Sequence, residues 1–263
     1  MRFSGNIVVV SGGASGLGKA SSTRFLKDGA EKVFIFDIDE AAGKKTEEEL
    51  SAYGEVHFIK CNVCDYDSVK NAYEDVVKIA KRIDIVHANA GIITKPITVD
   101  HMSFEEWNRV ININLTGMFL MAKFAVTQML KQDGGTIIFT GSNWAYVCDP
   151  GFTSYAASKG GVVSFAKALA LDHAKDNIRI NVVCPGNIHS PLLDRQLSDE
   201  PDPEATLEAM GQISTPDEIA NLVTFLASDE ASAMKGSAVV IDQGETLGYG
   251  PGLRVRKKEG VKK

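Results

Sequence analysis

The sequence is short of cysteine, of basic charge and of long apolar runs, and each shortage removes a class of function. Four cysteines in 263 residues, with no secretory leader ahead of them, point to a reducing cytoplasm and free thiols rather than a disulfide-stapled fold. MRFSGN runs straight into the apolar IVVV, which is too short for the core of a signal peptide and has no cleavage site behind it. No apolar run approaches the length expected of a membrane span. A formal net charge of −6 argues against a nucleic-acid surface. The only basic cluster is the tail RVRKKEGVKK (254–263), which reads as a solvated terminus. No linker, repeat or low-complexity segment divides the chain, so a single domain is expected.

A metal site is also lacking. KCNVCD (60–65) has two cysteines at zinc spacing, but zinc needs about four ligands, and Cys148 and Cys184 stand far away in sequence. A redox C-x-x-C prefers a helix N-terminus, whereas this pair ends a strand-like run. His57 and His173 have no partners at ligand spacing.

What is present is alternation. Short β-branched or aromatic runs fall at 6–11, 32–37, 56–61, 83–88, 135–141, 178–184 and 237–242. Amphipathic stretches between them predict helices near 16–28, 40–52, 66–82, 103–131, 153–175 and 216–228. Near-continuous apolar strands belong to a parallel sheet covered on both faces, so the repeat predicts a doubly wound α/β fold. One irregular insertion, roughly 187–215 and rich in Pro, Asp and Glu, is expected to lie over the carboxyl edge of the sheet as a lid.

VVVSGGASGLGKA (8–20) places Gly12, Gly16 and Gly18 between the first strand and the first helix. Gly12 permits a tight turn, the later glycines let the backbone approach a pyrophosphate, and the helix N-terminus offers orphan N–H groups. Asp37 ends the second strand about 20 residues on, where a carboxylate accepts both hydroxyls of a ribose and repels a 2′-phosphate, which favours NAD over NADP. Asp39 is the better helix cap. Tyr155 and Lys159 are four apart on a predicted helix and share one face. An ammonium beside a phenol lowers its pKa, as a base working near neutrality requires.

Together these residues resemble the short-chain dehydrogenase/reductase family, in its single-domain type, over nearly the whole chain. The motifs are SGGASGLG (11–18), the acid at 37, NAG (89–91), the asparagine of NLTG (114–117), Ser142, YAASK (155–159) and PG (185–186), with EIANLVTFLASDEAS (218–232) similar to the last helix. The resemblance implies a Rossmann fold, a nicotinamide cofactor and a small alcohol or ketone as substrate. It makes Tyr155 the general acid/base, Ser142 the group that polarises the substrate oxygen, Lys159 the ribose ligand, and Asn114 the anchor of a water linking Lys159 to solvent. Ser15 and Leu17 would join the glycines at the pyrophosphate, and Asn89, Ala90 and Gly91 would line the adenosine ribose side. Pro185, Gly186, Ile188 and Ser190 would pack on the nicotinamide. The segment after the third strand would cover the adenine, with the Asn62 amide donating to and accepting from its edge and Val63 supplying backbone contact. Relatives commonly form tetramers or dimers, here through helices 103–131 and 153–175.

Departures from the family pattern are Ser11 for threonine, Ala88 for a second asparagine, Asn62 for aspartate and Gln243 for glycine. For the substrate, Ile93, Trp144, Tyr146, Phe152, Leu192 and Leu193 offer apolar surface, and Asn143, His189 and Arg195 offer polar handles. The acidic lid disfavours polyanions. A cyclic or hydroxylated secondary alcohol of moderate size fits, with a sugar, polyol or hydroxysteroid as alternatives, and a non-enzymatic NAD-binding module as the other class.

Overall fold

The computed structural model describes residues 1–198 and 200–248. Expectations about Asp199 and the 250–263 tail lie outside the described residues.

Seven parallel strands form one sheet in the order β3-β2-β1-β4-β5-β6-β7. They are β1 (Ile7–Ser11), β2 (Lys32–Asp37), β3 (Glu55–Lys60), β4 (Ile85–Ala88), β5 (Gly135–Thr140), β6 (Ile178–Pro185) and β7 (Ala238–Ile241). Side chains alternate between two cores, as a period of two demands. Val9, Phe34, Phe36 and Val86 face one side and pack with α3 (Tyr66–Ala80), α5 (Gly117–Met129) and α6 (Thr153–Asp172). Val8, Val10, Val33 and Ile35 face the other and meet α1 (Gly16–Lys27), α2 (Glu40–Leu50) and α9 (Pro216–Ala227). Strand order reverses between β1 and β4, and the crevice above their carboxyl ends is where a doubly wound sheet binds ligands.

Helix starts follow their caps. Asp39 accepts from Ala42 N at 3.0 Å, and Asp65 from Ser68 N at 2.6 Å. Thr215 and Glu218 form a reciprocal capping box on α9. The carbonyls at the other end of α9 are gathered by Arg179 of β6, whose guanidinium donates to Leu226, Ala227, Ser228 and Ala231 oxygens at 2.9–3.2 Å. No local sequence signal announced that clamp.

Three expectations are corrected. The helix expected over 103–131 is α4 (Phe104–Ile111) and α5, joined by a π turn at Asn112–Thr116. The insertion expected to be irregular carries α7 (Pro191–Ser198) and α8 (Pro203–Met210). Its composition is that of helix starts: Asp202 caps α8 through Ala205 N, Pro203 fills the first position and Glu204 the first turn. The stretch Phe104–Met129, finally, is long and apolar enough by composition to cross a membrane, contrary to the reading of the run lengths. Half of its most apolar 18-residue window is buried inside the fold, where a helix packed on a sheet must be apolar.

Candidate active site

A cleft of about 660 Å³ opens above the carboxyl ends of the strands. At its floor the chain leaves β1 and turns through Gly12, at φ 64°, into α1. A β-carbon on Gly18 would stand 2.0 Å from the Gly12 carbonyl oxygen, so the helix seats directly on the turn only because that carbon is missing. Ser15 occupies the N-cap of α1 without making a side-chain cap bond, and no acid sits in the first turn. Ser15, Gly16 and Leu17 line the cleft, which leaves the first N–H groups and the positive helix end for an anion.

Asp37 stands at the rim, with Oδ2 accepting from Ala14 N and Oδ1 from Asp39 N, both at 3.1 Å. Its carboxyl is thus aimed by the same turn that forms the anion site. Asn62 accepts from Cys64 N through Oδ1 at 3.1 Å, while its own N–H donates to Ser68 Oγ at 3.0 Å. The amide oxygen thus already accepts one bond inside the turn, and no side-chain hydrogen bond engages the NH₂ end among the described residues. Cys61 is buried and its thiol is pushed up to about 12, so it is no reactive thiolate. Among the described residues no three His, Cys, Asp or Glu gather as a metal-ligand set.

Deeper in, Ser11, Asn89 and Thr140 tie three strands together. Ser11 Oγ accepts from Asn89 N and Ala90 N at 2.9 and 3.1 Å, so serine keeps the hydroxyl's role at this position. Asn89 Nδ2 donates to Ser11 O at 3.1 Å, and its Oδ1 accepts from Thr140 Oγ1 at 3.0 Å. Thr140 in turn meets His87 Nε2 at 2.9 Å. His87 is wholly buried, and loss of water drives its imidazole down to about 3, so it is neutral.

Tyr155 and Lys159 project from the first two turns of α6, and Ser142 follows β5. Lys159 is 3% exposed and donates to Thr140 O at 2.9 Å. Burial lowers its ammonium to about 8. Burial raises the Tyr155 phenol to about 12, against a hydrogen bond with Ser142 that lowers it. In the protein alone burial therefore outweighs the expected depression of Tyr155 by Lys159, whose ammonium Thr140 O holds over the phenol ring, 5.6 Å from its centroid.

All but two of the sequence-predicted catalytic and cofactor residues line this one cleft, and Gly18 and Asn114 do not. Gly18 is spent on the helix seat. Asn114 lies buried in the π turn, where Oδ1 accepts from Ile92 N at 2.8 Å and Nδ2 donates to Ile92 O at 2.9 Å and Ser158 Oγ at 3.1 Å. Of the substrate candidates, Ile93, Asn143, Trp144, Leu192, Leu193 and Arg195 line the cleft. Phe152 lies beneath Trp144, 4.7 Å between centroids, while Tyr146 and His189 are exposed elsewhere. Thr140 and Ile92 also line the cleft, and the sequence reading missed them. Ile92 meets Asn114, and Thr140 meets Lys159, through backbone atoms, which leave no side-chain signature.

A seven-stranded doubly wound sheet with Ser142, Tyr155 and Lys159 at one end of the cleft and a glycine turn at the other defines a nicotinamide-dependent oxidoreductase, and the chain belongs to the short-chain dehydrogenase/reductase family. The family model described as enoyl-(acyl carrier protein) reductase matches residues 12–246. Among relatives, a 3-oxoacyl-(acyl-carrier-protein) reductase of Thermotoga maritima is 37% identical over 93% of this chain and 99% of its own. A cyclopentanol dehydrogenase of Comamonas is 36% identical over 93% of this chain and 98% of its own. The crystal structure of levodione reductase superposes with a TM-score of 0.90 at 29% identity, covering 94% of this chain and 100% of that one.

Proposed function

We infer that the protein is an NAD-dependent dehydrogenase that oxidises a cyclic or hydroxylated secondary alcohol of moderate size to the ketone. The observation that carries the reading is one cleft holding Tyr155, Ser142 and Lys159 at one end and, at the other, Asp37, which forms no ion pair among the described residues.

The residues fit the dinucleotide. The unfilled N-terminus of α1 would hold the pyrophosphate, Asp37 the adenosine ribose, Asn62 NH₂ and Val63 the adenine side, Ala90 and Gly91 the passage between, and Lys159 the nicotinamide ribose. Pro185, Gly186, Ile188 and Ser190 would back the nicotinamide. The cofactor, when bound, accepts the hydride and brings one positive charge. In that field the Tyr155 phenol falls from about 12 toward neutrality, releases its proton to solvent, and as the phenolate would take the proton of the substrate hydroxyl. Ser142 donates to the same oxygen and holds the carbinol carbon in line. Lys159 is cationic at neutral pH and supports the phenolate through the ribose. Because the Asn114 side chain is closed on Ile92, a relay water would rest on backbone carbonyls of the π turn rather than on the amide.

Association of copies through α5 and α6 fits the exposed Phe119, Leu130 and Leu171, and light scattering on the purified protein measures it. For the reaction itself, a panel of secondary alcohols is followed by absorbance of the reduced nicotinamide. Turnover with NAD is expected, and Tyr155→Phe should lower kcat by about 1,000-fold or more while NAD affinity stays within a few-fold. Substantial residual activity in that variant removes the proton-transfer assignment.

A further inference from the structure

Among the described residues Lys159 and Arg195 are the cations that line the cleft, and the mechanism uses the first alone. Arg195 is the only lysine or arginine between 187 and 215, in a stretch that also carries Asp194, Glu200, Asp202 and Glu204. Even so, no carboxylate pairs with it among the described residues. Its Nε donates instead to Pro191 O at 3.0 Å, which folds the side chain back along α7 onto the first residue of that helix. The bond occupies Nε and leaves the terminal nitrogens of the guanidinium without a partner among the described residues.

The residue it folds onto meets the start of α1. A β-carbon on Gly16 would stand 3.4 Å from Ser190 Cβ and 3.7 Å from Pro191 Cδ. Arg195 therefore lies across the cleft from the anion site that the first N–H groups of α1 open. That helix start is short of charge for a pyrophosphate, which is negative on each phosphoryl group. The helix end contributes about half an elementary charge, and Lys19, the first cation of α1, is paired with Glu49.

We propose that Arg195 clamps the pyrophosphate of the dinucleotide from the α7 side, opposite the start of α1. A planar guanidinium presents its donors as a fork that matches two phosphoryl oxygens, and it stays charged at every working pH. Position favours the pyrophosphate over an anionic group on the substrate, because the side chain is tied to Pro191, the residue that meets Gly16. The neighbours Leu192 and Leu193 give the cleft an apolar wall instead. The clamp rests on the dinucleotide reading above and adds to it a contact supplied by a helix of the lid.

The test is titration calorimetry with NAD, ADP-ribose and adenosine on the wild-type protein and on Arg195→Met, which keeps the apolar stem and removes the charge. NAD and ADP-ribose are expected to bind the variant about 10-fold more weakly, while adenosine affinity and melting temperature stay unchanged. Wild-type affinity for ADP-ribose should also fall more steeply with sodium chloride than the variant's, since the lost contact is an exposed charge pair. Equal ADP-ribose affinity in the two proteins overturns the clamp and leaves the dinucleotide reading standing. Equal losses for adenosine and ADP-ribose overturn it as well, because the change then reaches the whole site rather than the phosphates. A loss confined to the KM of a hydroxycarboxylate, with ADP-ribose affinity unchanged, overturns it in favour of a substrate anion at Arg195. Absence of NAD and ADP-ribose binding in the wild type overturns the clamp and the dinucleotide reading together. The expected loss of affinity with no oxidation of any alcohol supports the clamp and removes the dehydrogenase reading alone.

Discussion

The two ends of the cleft are built from different materials. The dinucleotide end is made of backbone and buried polar side chains: the Gly12 turn, the open start of α1, Asp37 tied to Ala14 N, and the Ser11–Asn89–Thr140–His87 chain across β1, β4 and β5. The substrate end is made of side chains carried on connections: Asn143 and Trp144 after β5, and Leu192 and Leu193 on α7. A hydrogen-bonded strand edge fixes its atoms against every neighbour at once, whereas a helix in a connection is held by one face. One end therefore suits a part of the reaction shared across a family, and the other can vary with substrate.

The contrast is tested first, and most severely, at Gly18. Gly18→Ala places a carbon on the Gly12 carbonyl and should cost several kcal/mol, read by thermal melting, with dinucleotide binding lost by titration calorimetry. A normal melt and normal NAD affinity would show that the seat of α1 is looser than the fold indicates. Next comes Asp37→Ala, which should lower the ratio of kcat/KM with NAD to that with NADP by about 10- to 100-fold, since a charged hydrogen-bond acceptor and a repulsive charge are both removed. An unchanged ratio would place the ribose elsewhere.

His87 gives a smaller effect with a pH signature. Its folded-state pKa of about 3 lies below the ordinary 6.5, so between those values the unfolded chain binds more protons than the folded one. That part of the stability is fully present above pH 6.5 and is lost as pH falls toward 3. His87→Val should cost about 1 kcal/mol at pH 7 through the lost Thr140 bond, yet lose less melting temperature than wild type between pH 7 and pH 4.5. Parallel losses in both proteins would remove the assignment. The smallest change is expected past the substrate end. Gln243 adopts φ 56°, and its Nε2 donates to Ser214 Oγ at 3.1 Å. Gln243→Gly relieves the backbone and forfeits the bond, so stability should move by less than about 1 kcal/mol in denaturant titration.

Much of the dinucleotide end was legible because its signals are local. Gly12 and Asp37 are recognisable by position relative to strands, and strands by composition. Tyr155 and Lys159 declare themselves through helical spacing, although the spacing misled on electrostatics. Four residues apart means one face, but where on that face the ammonium rests was decided by Thr140 O, an atom of another element. The partner of the Asn114 amide was not legible either, since Ile92 lies 22 residues away on another segment. The lid was misread because Pro, Asp and Glu mark helix starts as well as loops.

The sequence by itself determined the alternation of strands and helices, the glycine turn, the acid at the end of β2 and the presence of a tyrosine and lysine on one helical face. These follow from contacts within a few residues, where backbone sterics and side-chain periodicity leave little choice. Tertiary structure alone decided that Lys159 is held by Thr140 and that Tyr155 is raised rather than lowered before a cofactor charge arrives. Those outcomes depend on desolvation and on partners in other elements, which no local pattern encodes.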